Sequence, residues 1–161
     1  MKLTNNSLKW LMRFYPPLFF QRIWVKQISE DFKTIEVIIH KSLLNKNYNG
    51  TIFGGTIFSA ADPFYSVMFW QHFRQKEFKV LGWLKSAEIH YKKPGNTNLT
   101  LIFTLTDEDV AEAENALNTV GKFSKAYPVE ARNKQGELCA MIYTEVWMRK
   151  IKPDQHSQAG F

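Results

Sequence analysis

Cysteine is almost absent from this chain. Among 161 residues there is one, Cys139, so no internal disulfide can form. That excludes a disulfide scaffold and fits a reducing, cytoplasmic setting. Cys139 lies in a strand-like run and reads as a packing residue rather than a nucleophile. Histidine is also sparse. His40 and His90 fall in strand-like runs, His72 near a helix end and His156 in the C-terminal stretch, and no pair has metal-ligand spacing. No metal and no cofactor are therefore expected. A phosphate loop, a dinucleotide fingerprint and a serine-nucleophile elbow are all missing. So is a long charge-free apolar run. Residues 52–70 approach bilayer length, but Asp62 and Pro63 interrupt them at the centre. A secretory leader is not expected, because Lys9 and Arg13 break up the first apolar segment and no small-residue cleavage site follows. Carboxylates are outnumbered, 15 against 21 Lys and Arg, for a formal charge of +6. That balance suits several anionic partners and selects none. No basic-aromatic pattern resembles a nucleic-acid module, so nucleic acid is not an expected partner.

Aromatics are abundant, at 15%. They imply a tightly filled core or large apolar interfaces. The length suits one domain with a real core. We divide it into an N-terminal helical extension (1–29), a main domain (30–150) and a flexible tail (151–161). Residues 3–28 read as helical and amphipathic, with Leu8, Leu11, Met12, Tyr15, Leu18, Phe19 and Ile23 as the apolar stripe. Pro16-Pro17 must break or kink it. The segment is either two short helices packed on the domain or an element that lies on a membrane or covers an acyl chain. Strand signals follow at 32–40, 80–92, 99–105, 123–132 and 138–149, with a short acidic helix at 107–118. Between the first two strands runs an apolar helix, 54–73. One antiparallel sheet wrapped around that helix is the economical way to bury both.

Within residues 54–70 of that helix Asp62 is the one strongly polar group, apart from small hydroxyls. Apolar residues occupy every face, which predicts a helix buried all round and a buried carboxylate in need of a partner or a task. Gly54-Gly55 sits where the helix begins. Free N–H groups and the helix dipole there can hold developing negative charge. Two alternatives stand for Asp62-Pro63: an N-cap and first-turn pair, or a kink beside the carboxylate inside one longer helix.

Asn47, Gly50, Gly54-Gly55 and Asp62 fit the pattern N-x-x-G-x-x-H-G-G followed by a helical Asp seven residues on. With the strand order, and with Tyr91-Lys92-Lys93-Pro94-Gly95 before a turn, residues 30–150 resemble the hotdog-fold thioesterases, in an uncharacterised thioesterase-like branch. The resemblance implies an α+β hotdog fold with an N-terminal helical extension. It implies hydrolysis of an acyl-CoA or an acyl-carrier-protein thioester, with coenzyme A only as part of the substrate. By the same resemblance the N–H of Gly55, next to that of Gly54, polarises the carbonyl, Asp62 is general base or nucleophile, and Asn47 orients loop, water or substrate. Phe53 stands where relatives usually carry His. Phe53, Gly54, Tyr65, Ser66, Lys92 and Lys93 are candidate substrate-binding residues, the two lysines toward coenzyme A phosphates. A homodimer or dimer of dimers is implied, since the superfamily's site lies between subunits.

Three functions follow. The first is a thioesterase, whose aromatic interior suits a medium or long fatty-acyl chain. The second, motivated by Phe53, is a non-catalytic acyl- or lipid-binding protein on the same fold. The third is a membrane-peripheral or interaction protein, motivated by the basic, aromatic segment 8–26.

Overall fold

A computed structural model describes residues 3–76 and 79–151. The tail assigned to 151–161 and His156 therefore lie, but for Ile151, outside the described residues.

The helical reading of residues 3–28 holds only for its first part. Helix α1 spans Asn5–Phe14 and α2 spans Pro16–Phe20, but Ile23–Ile28 is strand β1. Thr4 caps α1 by accepting from the Ser7 N–H, and Pro16-Pro17 open α2, where their missing N–H groups cost nothing. The stripe misled because β1 carries a bulge between Val25 and Gln27. Its inward residues are Ile23, Val25 and Ile28, a spacing that imitates a helix more than a strand.

The remaining elements are β2 (Thr34–Ile39), α3 (Gly54–Ala61), α4 (Phe64–Gln75), β3 (Val80–Tyr91), β4 (Leu99–Thr104), α5 (Asp107–Thr119), β5 (Lys122–Arg132) and β6 (Leu138–Lys150). The six strands form one antiparallel sheet in the order β1-β2-β4-β5-β6-β3. Alternation sets the inner face: Ile35, Val37 and Ile39 on β2, Leu99, Leu101 and Phe103 on β4, and Ala140, Ile142, Thr144, Val146 and Met148 on β6 are all buried. The core lies between that face and the α3–α4 pair. There Phe64 meets Phe103, and Phe69 meets Phe73, Phe123 and Tyr127. Helices α1 and α2 pack on β1, and α5 packs on β5 and β6.

The central helix is one path in two pieces. Asp62 and Pro63 both keep right-handed helical angles, and α4 starts without a side-chain cap. The N-cap alternative for Asp62 is thereby set aside. Pro63 has no N–H for the Ser59 carbonyl and breaks the ladder without turning the chain. The expectation of burial on every side is corrected. The sheet covers one flank only, burying Thr56, Ile57, Ala60, Ala61, Phe64, Tyr65, Met68 and Phe69, while Phe53, Phe58 and Asp62 are exposed on the single chain.

Candidate functional site

Residues 41–53 carry the chain from β2 to α3, and two asparagines shape them. Asn45 is almost fully buried. Its Nδ2 donates to the carbonyls of Gln21 (2.8 Å) and His40 (3.0 Å), and its own carbonyl accepts from the Phe53 N–H (2.8 Å). One residue, by its side chain and its backbone carbonyl, thus ties the end of α2, the end of β2 and the start of α3. Sequence reasoning missed it; a lone Asn in a loop gives no signal of burial. Asn47 organises the next turn. Its Oδ1 accepts from the N–H groups of Asn49 (3.0 Å) and Thr51 (3.1 Å), and its Nδ2 donates to Thr51 Oγ1 (2.9 Å). Its amide is committed to the loop, and Gly50, at φ +76°, makes the turn possible.

Helix α3 starts at Gly54 with Phe53 as N-cap and no side-chain cap. Among the described residues nothing accepts from the Gly54 or Gly55 N–H. A side chain at either glycine would have to displace a neighbouring ring. A Cβ on Gly54 would lie 2.8 Å from the Tyr91 hydroxyl, and one on Gly55 would lie 2.4 Å from the Phe53 ring. Tyr91 makes use of the gap, its hydroxyl donating to the Gly54 carbonyl at 3.0 Å. This contact was absent from the sequence reading, although Tyr91 ends the strand that leads into Lys92 and Lys93. The Phe53 ring, 57% exposed, rests over Gly55.

Gly55, Ser59, Asp62 and Ser66 recur at positions i, i+4, i+7 and i+11 and form one stripe along the helix. The Asp62 carboxylate has no hydrogen-bond or ion-pair partner among the described residues. Exposed though it is, its apolar surroundings raise its pKa above the ordinary aspartate value, and no cation opposes that shift. Ser66 Oγ is buried without a partner, and its Cβ would lie 3.8 Å from a Cβ on Gly82 of β3. Tyr65 is placed elsewhere. It is buried, stacks on Tyr127 and donates to the Pro128 carbonyl at 3.0 Å; burial pushes its hydroxyl pKa up to about 12.

A cleft of about 360 Å³ opens beside the helix start, lined by Asn47, Thr51, Gly54, Tyr91, Lys92 and Lys93 among others. It gathers four of the residues singled out from sequence. Gly55, Asp62, Phe53 and Ser66 lie outside it along the helix, and Tyr65 is in the core. Lys93 is held by Glu137 at 2.5 Å, which raises its pKa, while Lys92 is exposed. The described histidines stand apart: His40 beside Asn98, His72 against Phe73, His90 beside Glu88. No group of three or more His, Cys, Asp or Glu that could hold a metal occurs among the described residues. Among them, too, no helix is long and apolar enough to cross a membrane.

A six-stranded antiparallel sheet packed on a helix that opens on a glycine pair defines the hotdog fold. Residues 4–148 match the family described as Domain of unknown function (DUF4442), and the chain belongs to it. The fold is shared with a Pseudomonas aeruginosa protein of unknown function described as a probable thioesterase. The two superpose with a TM-score of 0.83 at 15% identity, over 94% of this chain and 99% of that one. A Chlorobaculum tepidum protein of unknown function gives 0.78 at 14% identity, over 93% and 99%. A Haemophilus influenzae thioesterase gives 0.69 at 14% identity, over 97% of each chain. No curated protein matches the sequence.

Proposed function

We propose that the protein hydrolyses an acyl thioester of coenzyme A or of an acyl carrier protein, in a cytoplasmic setting. The observation that carries this reading is the pairing, on one helical stripe, of free N–H groups at Gly54-Gly55 with an unpaired carboxylate of raised pKa at Asp62. The N–H groups suit the oxyanion that forms at a thioester carbonyl. The carboxylate suits the proton of the attacking water. Water then adds to the carbonyl carbon, the C–S bond breaks, and the proton passes to the leaving thiolate, giving a carboxylic acid and a free thiol. Asp62 as nucleophile reaches the same products through a mixed anhydride that water cleaves.

One chain does not complete this site. Seven helical residues separate Gly55 from Asp62, a rise of about 10 Å, whereas a reacting carbon must lie within about 3 Å of both groups. Two helices running antiparallel, one from each of two copies, would bring Gly55 of one chain to the partner subunit's Asp62. The exposed Phe53, Phe58 and Asp62 of the helix, and the free edge of the twelve-residue strand β3, support such a pair. Lys92, at the rim of the cleft, suits the phosphates of coenzyme A.

The second reading, binding without turnover, has one observation in its favour: the Phe53 ring covers Gly55, where substrate would approach. Free-thiol release from acyl-CoA esters of short to long chain separates the two. Turnover on any of them supports hydrolysis. Saturable binding of the same esters, without thiol release, supports the binding protein.

A further inference from the structure

The first 28 residues leave four aromatic rings in a row on the surface. Trp10 stacks on Phe14 at 5.9 Å, Phe14 meets Phe19 at 6.1 Å, and Phe19 meets Phe20 edge-on at 5.6 Å. The ladder crosses both helices and is exposed throughout, Phe14 at 60% and Phe20 at 67%, with Leu11 beside it. These rings lie outside the buried core. Leu8, Met12 and Leu18 are the residues that α1 and α2 bury. A continuous exposed apolar row of this kind marks an interaction surface.

Its charge identifies the partner. Residues 3–28 contain no carboxylate. The Arg13 guanidinium lies 4.5 Å from the Trp10 ring and 4.6 Å from the Trp24 ring and donates to the Val25 carbonyl at 2.7 Å, so it braces the rings from within the fold. Arg22 is exposed and held at φ +61°, a conformation that few non-glycine residues adopt. With Phe19, Trp24 and His40 it lines a cavity of about 350 Å³. Aromatic rings interleaved with arginines match the boundary of a bilayer, rings among the acyl chains and guanidinium groups at anionic headgroups. We propose that this face docks on an anionic phospholipid surface, with the ring ladder inserted and the exposed Arg22 against the phosphates. A second copy is a poor occupant, because pairing this face with itself opposes like charges. Nor does α5, the acidic helix, offer a complement. Its Asp107, Asp109, Glu112 and Glu114 are held by Lys33, Lys125 and Lys76.

Asn45 joins the end of α2 to the N-cap of α3, so this face adjoins the glycine pair. Resting on the thioesterase reading, an acyl chain would then reach the site from the bilayer side.

Vesicle co-sedimentation tests the docking independently of hydrolysis. The full chain is spun with phosphatidylcholine vesicles, and with vesicles that also contain phosphatidylglycerol, at low and high salt. The wild type should pellet with the anionic vesicles, less so as salt rises. The Phe14→Ser/Phe20→Ser variant should lose at least about tenfold in partitioning, and Arg22→Asn about fivefold. Circular dichroism should show both variants folded. Wild type left in the supernatant with every vesicle overturns the proposal. So does equal pelleting by the folded double variant. If the double substitution instead splits an oligomer in sedimentation velocity and vesicle binding is absent, the face is an interface between copies and the proposal falls. Thiol release is read separately, so loss of one result leaves the other standing.

Discussion

Asp62 carries its charge at a disadvantage, and the sign can be followed. Its folded-state pKa is raised above 3.8 by desolvation, so the native state holds the proton more tightly than the unfolded chain. The penalty is absent below the unfolded pKa, grows as pH rises toward the folded one, and is fully present above it. Asp62→Asn should therefore be slightly more stable than wild type at pH 7, with the difference vanishing in acid; urea midpoints across pH measure it. The proposed catalytic carboxylate would behave in this way. Tyr91 is the opposite case. Tyr91→Phe loses the bond to the Gly54 carbonyl and should cost about 1 kcal/mol or less in the same assay. That Gly55 and Asp62 share one helical stripe was legible in the sequence, because both lie on one helix at fixed spacing. Tyr91 and Asn45 were not, because their partners are far away in the chain. The predicted burial of Asp62 failed for a related reason: composition shows that a helix is apolar on every side, but not which side the sheet leaves open.

Elements were readable where one period runs unbroken. The inward alternation of β6 and the apolar residues of α3 and α4 stand in the sequence as they do in the fold. Strand β1 was lost to its bulge. The sheet's outer face carries a clamp that patterning does not reveal. Glu145 on β6 accepts from Lys85 Nζ (2.8 Å) and Ser86 Oγ (2.7 Å) on β3 and from Ser124 Oγ (2.8 Å) on β5. These bonds lower its pKa to about 2. The stabilisation they give is present above the unfolded pKa near 4.5 and is lost as pH falls toward 2. Glu145→Gln should lower the unfolding midpoint at neutral pH and approach wild type in strong acid. On the inner face, Phe69 is fully buried among Phe73, Phe123 and Tyr127, and Phe69→Ala should cost about 3–5 kcal/mol in urea unfolding.

For the whole molecule, three surfaces follow from one asymmetry: the sheet wraps a single flank of its helix. The uncovered flank holds Phe53, Phe58 and Asp62 beside the free β3 edge, and we assign it to a second copy. The β1 side carries the arginine-aromatic ladder, and we assign it to lipid. The cleft at Gly54 and Tyr91 lies at the helix start. Sedimentation equilibrium should then find a dimer or a multiple of one in the absence of lipid. The central claim is that Asp62 drives thioester hydrolysis, and the pH dependence of thiol release by wild type and Asp62→Asn, on the best acyl-CoA ester, tests it most directly. The account predicts a wild-type rate that rises with pH through a pKa above the ordinary aspartate value. It predicts a folded variant slower by about 10²- to 10⁴-fold with that rise gone. A folded variant that keeps the wild-type rate and profile would contradict it.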